Sequence, residues 1–398
     1  MTGLEILLLG VFTLYALTSL LLLLGTQRRP PSNTSRIADH TVSVLVAARN
    51  EEKYLPACLE ALTRSDFPQE KFEILVIDDR STDRTLPIAE MFAQRHSNVR
   101  VVPLTHRLSG MSGKASALCQ GLAHATGDLI LITDADCIVP PSWISAMTQH
   151  FTPDTGLVGG FTLLTPLRVQ TRAPSPSHDN LFAKIQTLDW MYLLTAGAGA
   201  AGWGKPVSIL GNNFGFRRAA YDHVGGYEAI GFTIVEDFAL MQKIVRDTKW
   251  RVRFPLDPAA AIYSFPPATW RDFFHQRQRW AAGGKEMGWL AKFLMILAFC
   301  ALAAIVLAGF ISWKLLLVGL AAKLFMDALL LWRCAAALRC KPLLRCFLFF
   351  EFYFFIYSFM FAPTILLPAT VHWKGVHYRW NMRGKIKSVE EKQASPAQ

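Results

Sequence analysis

The chain has 398 residues, and its 52% hydrophobic and 18% charged content, with mean hydropathy +0.26, excludes both a disordered polypeptide and an ordinary water-soluble enzyme. Seven cysteines with no pair at CxxC spacing exclude a disulfide framework and a zinc ribbon, and fit a reducing compartment. The formal charge of +11, from 41 Lys and Arg against 30 Asp and Glu, suits a nucleic acid or an anionic membrane surface, so its placement decides between them.

The apolar excess is segregated. Residues 6–27 and 293–313 carry no charge, and between Cys346 and Trp373 the only charge is Glu351. Each run is long enough to cross about 30 Å of hydrocarbon as a helix. A further run, 315–332, holds only Lys323 and Asp327, spaced to pair on one helix face. The first segment has neither the basic start nor the small-residue cleavage site of a signal peptide, and Arg28 and Arg29 follow it directly. Residues 1–27 are therefore expected to be a retained transmembrane anchor, with a linker at 28–40.

Basic residues cluster beside these segments: Arg28, Arg29 and Arg36, then Arg333, Arg339, Lys341 and Arg345, then Lys374, Arg379, Arg383, Lys385 and Lys387. The positive-inside rule places all three clusters, and the soluble region between the first two, in the cytoplasm. The expectation is a multi-pass protein of the inner (cytoplasmic) membrane with the lipid bilayer as its partner. Nucleic acid is excluded as a partner, because the surplus charge lies beside membrane segments and forms no aromatic-interleaved stripe. Parity constrains the membrane region at 293–372. A hairpin of 293–313 and 315–332 returns the chain to the cytoplasm, and one full crossing by 346–370 would leave the basic tail, 373–398, outside. Pro363 and Pro368 permit a broken or re-entrant path back to the same side, which is the path expected.

The soluble region alternates strand and helix. Residues 41–47, 72–77, 99–103 and 128–133 are short apolar runs rich in β-branched residues, and helical stretches at 54–63, 86–96 and 114–125 lie between or after them. That pattern predicts an α/β, Rossmann-like, mostly parallel sheet covered by helices, with ligands at the carboxyl ends of the strands. Neither GxGxxG nor a P-loop is present, which argues against dinucleotide and kinase readings.

The residues after each strand carry the chemistry. Arg49 and Glu51 follow the first, and Asp78 and Asp79 follow the second, where carboxylates suit a ribose hydroxyl or a base N–H. Ser81 or Thr82 offers a helix cap there. Asp134 and Asp136 end the fourth strand, two carboxylates able to share Mg²⁺ or Mn²⁺ with a diphosphate. Asp237 opens an apolar helical run as a cap or as a general base. In QRQRW, Gln276, Arg279 and Trp280 fall at i, i+3 and i+4, giving one helix face an amide, a guanidinium and an indole. Nearby Trp270, Phe273, Phe274 and Trp289 also suit an interfacial helix, and both readings are compatible.

As an ordered set, AARNEE (47–52), DDRSTDRT (78–85), Gly113-Lys114, DADC (134–137), GNNFGFRR (211–218), VED (235–237) and QRQRW (276–280) resemble a membrane-bound family 2 glycosyltransferase of the inverting GT-A type. The likeness spans roughly 42–280. It implies a GT-A catalytic domain at 41–268, interfacial helices at 269–292 and membrane helices on either side. It further implies that Arg49, Glu51, Asp78 and Asp79 hold the nucleoside, Lys114 and Arg279 the diphosphate, and Asp134 and Asp136 the metal. Asp237 would be the base, while Gln276 and Trp280 would lie at the acceptor site. The implied donor is a nucleotide sugar, with UDP as the nucleotide, and the metal is Mg²⁺ or Mn²⁺.

Only residues 281–292 separate QRQRW from the next membrane segment, which leaves little room for the gating loop and channel of processive polysaccharide synthases. One-step transfer to a membrane lipid is the expectation, as in the similar ceramide glucosyltransferase and bacterial lipid glycosyltransferases. Processive synthesis is the alternative within the family. A non-catalytic membrane scaffold is the alternative outside it, opposed by the presence of every acidic and QxxRW residue.

Overall fold

The computed structural model describes residues 2–28, 40–164, 180–267, 269–284, 286–366, 370–373, 376–380 and 386–391. It divides into two compact units, one of residues 19–265 with 327–347, the other of 1–18, 266–326 and 348–398. The first helix, α1 (Gly3–Gly25), contributes its end to the larger unit.

The larger unit continues with β1 (Val42–Ala48), α2 (Leu55–Thr63), β2 (Phe72–Asp78), α3 (Thr85–Arg95), β3 (Val99–Pro103), α4 (Gly113–Leu122) and β4 (Leu129–Asp134). These match the expected elements, with ends shifted by no more than three residues. Next come β5 (Cys137–Ile138), α5 (Trp143–Gln149), β6 (Thr155–Gly159), β7 (Thr162–Leu164), α6 (Leu181–Gly202), β8 (Asn213–Arg217), α7 (Arg218–His223), α8 (Gly226–Ile230), α9 (Glu236–Asp247), β9 (Arg251–Arg253) and β10 (Ile262–Ser264). Seven strands form one sheet in the order β3-β2-β1-β4-β8-β6-β9. Pairings among β1 to β4 are parallel, β8 runs antiparallel to both β4 and β6, and β9 is parallel to β6.

Helices cover both sheet faces, so β1 and β2 read as continuous apolar runs and not as an alternation. Val44, Leu45 and Val46 in β1 and Leu75, Val76 and Ile77 in β2 are all fully buried. Each such side chain contributes about 1.5–3 kcal/mol relative to exposure. Gly121 lets α4 lie close against β2, since a Cβ there would come within 2.3 Å of the Ile77 side chain. A second sheet, β5-β10-β7, ties the turn after β4 to the rest of the unit.

The end of α1 is fastened to α6. A Cβ on Gly199 would sit 2.2 Å from the Leu22 carbonyl oxygen, and one on Gly25 would sit 2.0 Å from the Gly199 oxygen. The helices thus cross backbone against backbone, the arrangement small residues allow. Trp203 Nε1 donates to the Leu21 carbonyl at 2.7 Å, and the Arg28 guanidinium lies 4.0 Å over the Trp203 ring.

The smaller unit holds α10 (Trp270–Gly284), α11 (Trp289–Ile311), most of the remaining apolar helices and a small sheet. The other elements are α12 (Trp313–Ala337), which runs on into the larger unit, α13 (Phe347–Leu366), and the antiparallel sheet β11 (Thr370–Trp373), β12 (Val376–Trp380) and β13 (Ile386–Glu391). Among the described residues four helices are long and apolar enough to cross a membrane: Gly3–Gly25, Trp289–Ile311, Trp313–Ala337 and Lys341–Phe361. Lys323 donates to Glu351 Oε2 in the buried interior of this unit, a carboxylate from another helix. The break expected at Pro363 is not found, because α13 runs through it to Leu366, and Pro368 lies outside the described residues. The basic residues Arg29, Arg36, Lys374, Arg383 and Lys385 also lie outside them.

Candidate active site

Strand register gathers the acidic groups. Ala48 pairs with Asp78 on one side of β1 and Ala47 pairs with Asp134 on the other, so both carboxylates end their strands on the same sheet edge. In parallel α/β sheets this carboxyl edge is where ligands bind.

Two loops at this edge are stitched together. The Asn50 amide donates to Ser81 Oγ at 3.0 Å, and Thr82 N–H donates to Asn50 Oδ1 at 2.8 Å. Ser81 and Thr82 therefore serve loop-to-loop contacts and do not cap α3, whose first amide, Thr85 N–H, donates to Asp83 Oδ1. Asn50 and Arg80 adopt left-handed φ of 54° and 58°, a conformation uncommon for non-glycine residues. Asp79 is buried, its Oδ1 accepting from Arg80 Nε at 2.9 Å and its Oδ2 lying 3.8 Å from Arg49. Asp78 Oδ2 accepts from Ser81 N–H, while its Oδ1 is buried without a hydrogen-bond partner among the described residues. A buried acceptor of that kind calls for a donor from outside the chain, such as a base N–H. Glu51 shares the loop through its amide, which donates to Thr85 Oγ1 at 2.7 Å.

Lys114 joins the second group. Its ammonium donates to Asp134 Oδ1 at 2.5 Å and to the Gly211 carbonyl at 2.9 Å, and lies 3.7 Å from Glu236 Oε1. Burial disfavours the charge, but the carboxylates of Asp134 and then Glu236 outweigh it, holding Lys114 protonated well above its ordinary range. Asp237, in the first turn of α9, lies against Gly211, where a Cβ would come within 2.9 Å of Asp237 Oδ2. Burial, and then the neighbouring Glu236 carboxylate, push Asp237 up to about 7, with Lys114 pulling the other way. An acid tuned to that range exchanges protons readily at neutral pH.

Asp134 and Asp136 flank the turn after β4. Both are partly exposed, and among the described residues no cluster of three or more His, Cys, Asp or Glu is close enough to hold a metal. Two hard carboxylates fit a divalent ion that completes its shell with substrate phosphates and water. The adjacent Cys58 and Cys137 thiols are pushed upward by burial and then by Asp136 and Asp134, so they stay protonated and are poor ligands.

The structure thus brings Arg49, Asp78 and Asp79 together, and Lys114, Asp134 and Asp237 together. Gln276, Arg279 and Trp280 lie on α10, in the other unit, each half-buried. Three further residues carry weight that the motifs did not assign. Glu236 is a third anion around Lys114. Asn213, fully buried, accepts from Trp143 Nε1 and donates to the carbonyls of Phe161 and Ala260, fixing the GNN turn that presents Gly211. Arg277, and not its motif neighbour Arg279, is the fully buried cation of QRQRW. The signals were visible in VED, GNN and QRQRW, but only packing distinguishes their roles.

The profile of glycosyl transferase family 21 matches residues 6–386, nearly the whole chain. This chain belongs to glycosyl transferase family 21. Among curated relatives of the family 21 chain, the probable glycosyltransferase YdaM of Bacillus subtilis is 30% identical over 64% of this chain and 57% of its own length. The beta-monoglucosyldiacylglycerol synthase of Nostoc is 31% identical over 62% of this chain and 49% of its own. The poly-beta-1,6-N-acetyl-D-glucosamine synthase of Staphylococcus epidermidis is 25% identical over 62% and 55% respectively. The chain spans about half the length of these curated relatives. A solved structure, mannosyltransferase PcManGT from Pyrobaculum calidifontis in complex with GDP-Man and Mn²⁺, superposes with TM-score 0.54 at 22% identity, covering 90% of this chain and 99% of that one. This family 21 chain therefore has the GT-A fold.

Proposed function

We propose that this protein is an inverting hexosyltransferase that moves a sugar from a nucleotide sugar, with UDP as nucleotide, to a hydroxyl of a membrane lipid. The observation that carries the reading is Asp237, a half-buried carboxylate pushed up to about 7 beside Gly211, Lys114 and Glu236 in a glycosyltransferase fold. Asp237 accepts the proton of the acceptor hydroxyl as that oxygen attacks the anomeric carbon in line with the departing nucleoside diphosphate. Lys114 places a positive charge where the leaving group develops negative charge. Asp78, Asp79 and Arg49 hold the nucleoside, and the family resemblance assigns the diphosphate to Arg279 as well. Asp134 and Asp136 would hold Mg²⁺ or Mn²⁺, which supplies further neutralisation of the diphosphate when bound. The PcManGT complex contains Mn²⁺, which supports use of a divalent cation in this fold.

A lipid acceptor is supported by the name of the Nostoc relative and by four helices of membrane-spanning length. The basic clusters beside the apolar helices favour a cytoplasmic place for the catalytic residues and the basic tail. Processive synthesis is the second reading, favoured by the Staphylococcus relative. The test is detergent-purified protein incubated with a panel of nucleotide sugars and diacylglycerol in mixed micelles, with and without Mn²⁺. Release of nucleoside diphosphate and one glycolipid, both needing the cation, supports the reading. Release of nucleoside diphosphate with a polymer ladder favours the second reading, and no release from any donor refutes both.

A further inference from the structure

Arg277 is fully buried in the smaller unit, one residue beyond the first Gln of QRQRW. Its guanidinium carbon lies 4.5 Å from the Trp280 ring centroid, 5.0 Å from that of Phe273 and 5.2 Å from that of Tyr357. All three distances fall within the range of cation–π attraction. Phe273 and Trp280 stand at i−4 and i+3 on the same face of α10, whereas Tyr357 belongs to α13. The cation is therefore held between two rings of its own helix and a third from the helix packed against it. Tyr353 extends this contact, facing Phe273 edge-on at 6.3 Å and stacking on Tyr357 at 5.6 Å.

An apolar side chain would fill this space without the cost of burying a charge, so packing alone does not call for arginine. The planar guanidinium does what no aliphatic group can: it attracts ring faces and so fixes the tilt of the indole it touches. We propose that Arg277 is a positioning residue for Trp280, its guanidinium holding the indole in the orientation that receives the acceptor. The proposal rests on the glycosyltransferase reading, in which Trp280 lies on the acceptor side. Arg277 touches neither substrate and acts through the indole.

The test uses the full chain in detergent, UDP-glucose as donor and diacylglycerol in mixed micelles as acceptor. Arg277→Met is unbranched and apolar, shorter than arginine, and removes the charge; it is expected to raise the acceptor KM or lower lipid transfer by about tenfold or more. The donor KM and the slow hydrolysis of donor by water should stay within about twofold. Arg277→Lys restores part of the loss, Tyr357→Phe keeps the ring and changes little, and Tyr357→Leu reproduces part of the defect without touching the charge. In parallel, the protein labelled with 5-fluorotryptophan gives a fluorine NMR signal for Trp280, assigned through Trp280→Phe. That signal should move in Arg277→Met and stay put in Tyr357→Phe. Equal loss of transfer and donor hydrolysis, an unchanged acceptor KM together with undiminished lipid transfer, or an unmoved Trp280 signal would each overturn the proposal while leaving the glycosyltransferase reading intact. Absence of turnover in the wild type, with every donor in the panel, would overturn both.

Discussion

Replacing Asp237 by Asn keeps the shape of the side chain and removes its proton-accepting capacity. General-base catalysis contributes about 10²- to 10⁴-fold, so kcat should fall by that factor, or about 3–5 kcal/mol of transition-state stabilisation at about 1.36 kcal/mol per decade. The pH profile provides the sharper reading. On the proposed assignment Asp237 works as the carboxylate, and its value of about 7 lies above that of an ordinary aspartate, so the working form is lost as pH falls through neutrality. In wild type kcat/KM should be half-maximal near pH 7 and about a hundredfold lower at pH 5, because ionisation falls tenfold per pH unit below that point. Glu236→Gln removes the like charge beside Asp237 and should shift the acidic limb to lower pH. Lys114→Met removes the opposing cation and should shift it to higher pH, with weaker donor binding as well. The assay is initial nucleoside diphosphate release between pH 5 and pH 9 at subsaturating donor. A flat wild-type profile, or Asp237→Asn with undiminished turnover, would refute the assignment of Asp237 as base.

Asp136→Ala should weaken donor binding and abolish the rise in activity with Mn²⁺ together, as a titration of activity against cation would show, whereas full cation-dependent activity in the variant would put the metal elsewhere. Trp280→Ala should impair transfer to lipid much more than hydrolysis of the donor, while Arg279→Ala should impair both, and comparing glycolipid with free sugar separates the two. Gly199→Leu forces a side chain into the Leu22 backbone, where a Cβ already comes within 2.2 Å of an oxygen. It should cost about 1–3 kcal/mol, read as a lower midpoint of thermal unfolding in detergent.

The catalytic fold was legible because its strands are uninterrupted apolar runs and its loops begin with charged residues, a contrast that survives in one dimension. Asp78, Asp134 and Asp237 could be picked out as candidates because each stands at the end of an expected strand or the start of an expected helix. Glu236 could not, because a second acid at a helix start is ordinary until Lys114 is found 3.7 Å away across the fold. Arg277 was hidden by periodicity. It is i+1 from Gln276, and only the packing of α13 reveals that this face, with Phe273 and Tyr357, is the buried one. The path of the last membrane helix was obscured by Pro363, whose residue type suggests a break, although the helix continues through it.

The most direct test of the central claim is the anomeric configuration of the lipid-linked product formed from an α-linked nucleotide sugar by the purified full chain. Single in-line displacement with Asp237 as base predicts the β-glycoside, recognised by its large proton coupling at the anomeric carbon for a gluco-configured sugar. An α-glycoside formed by the same preparation, and lost in Asp237→Asn, would contradict the mechanism.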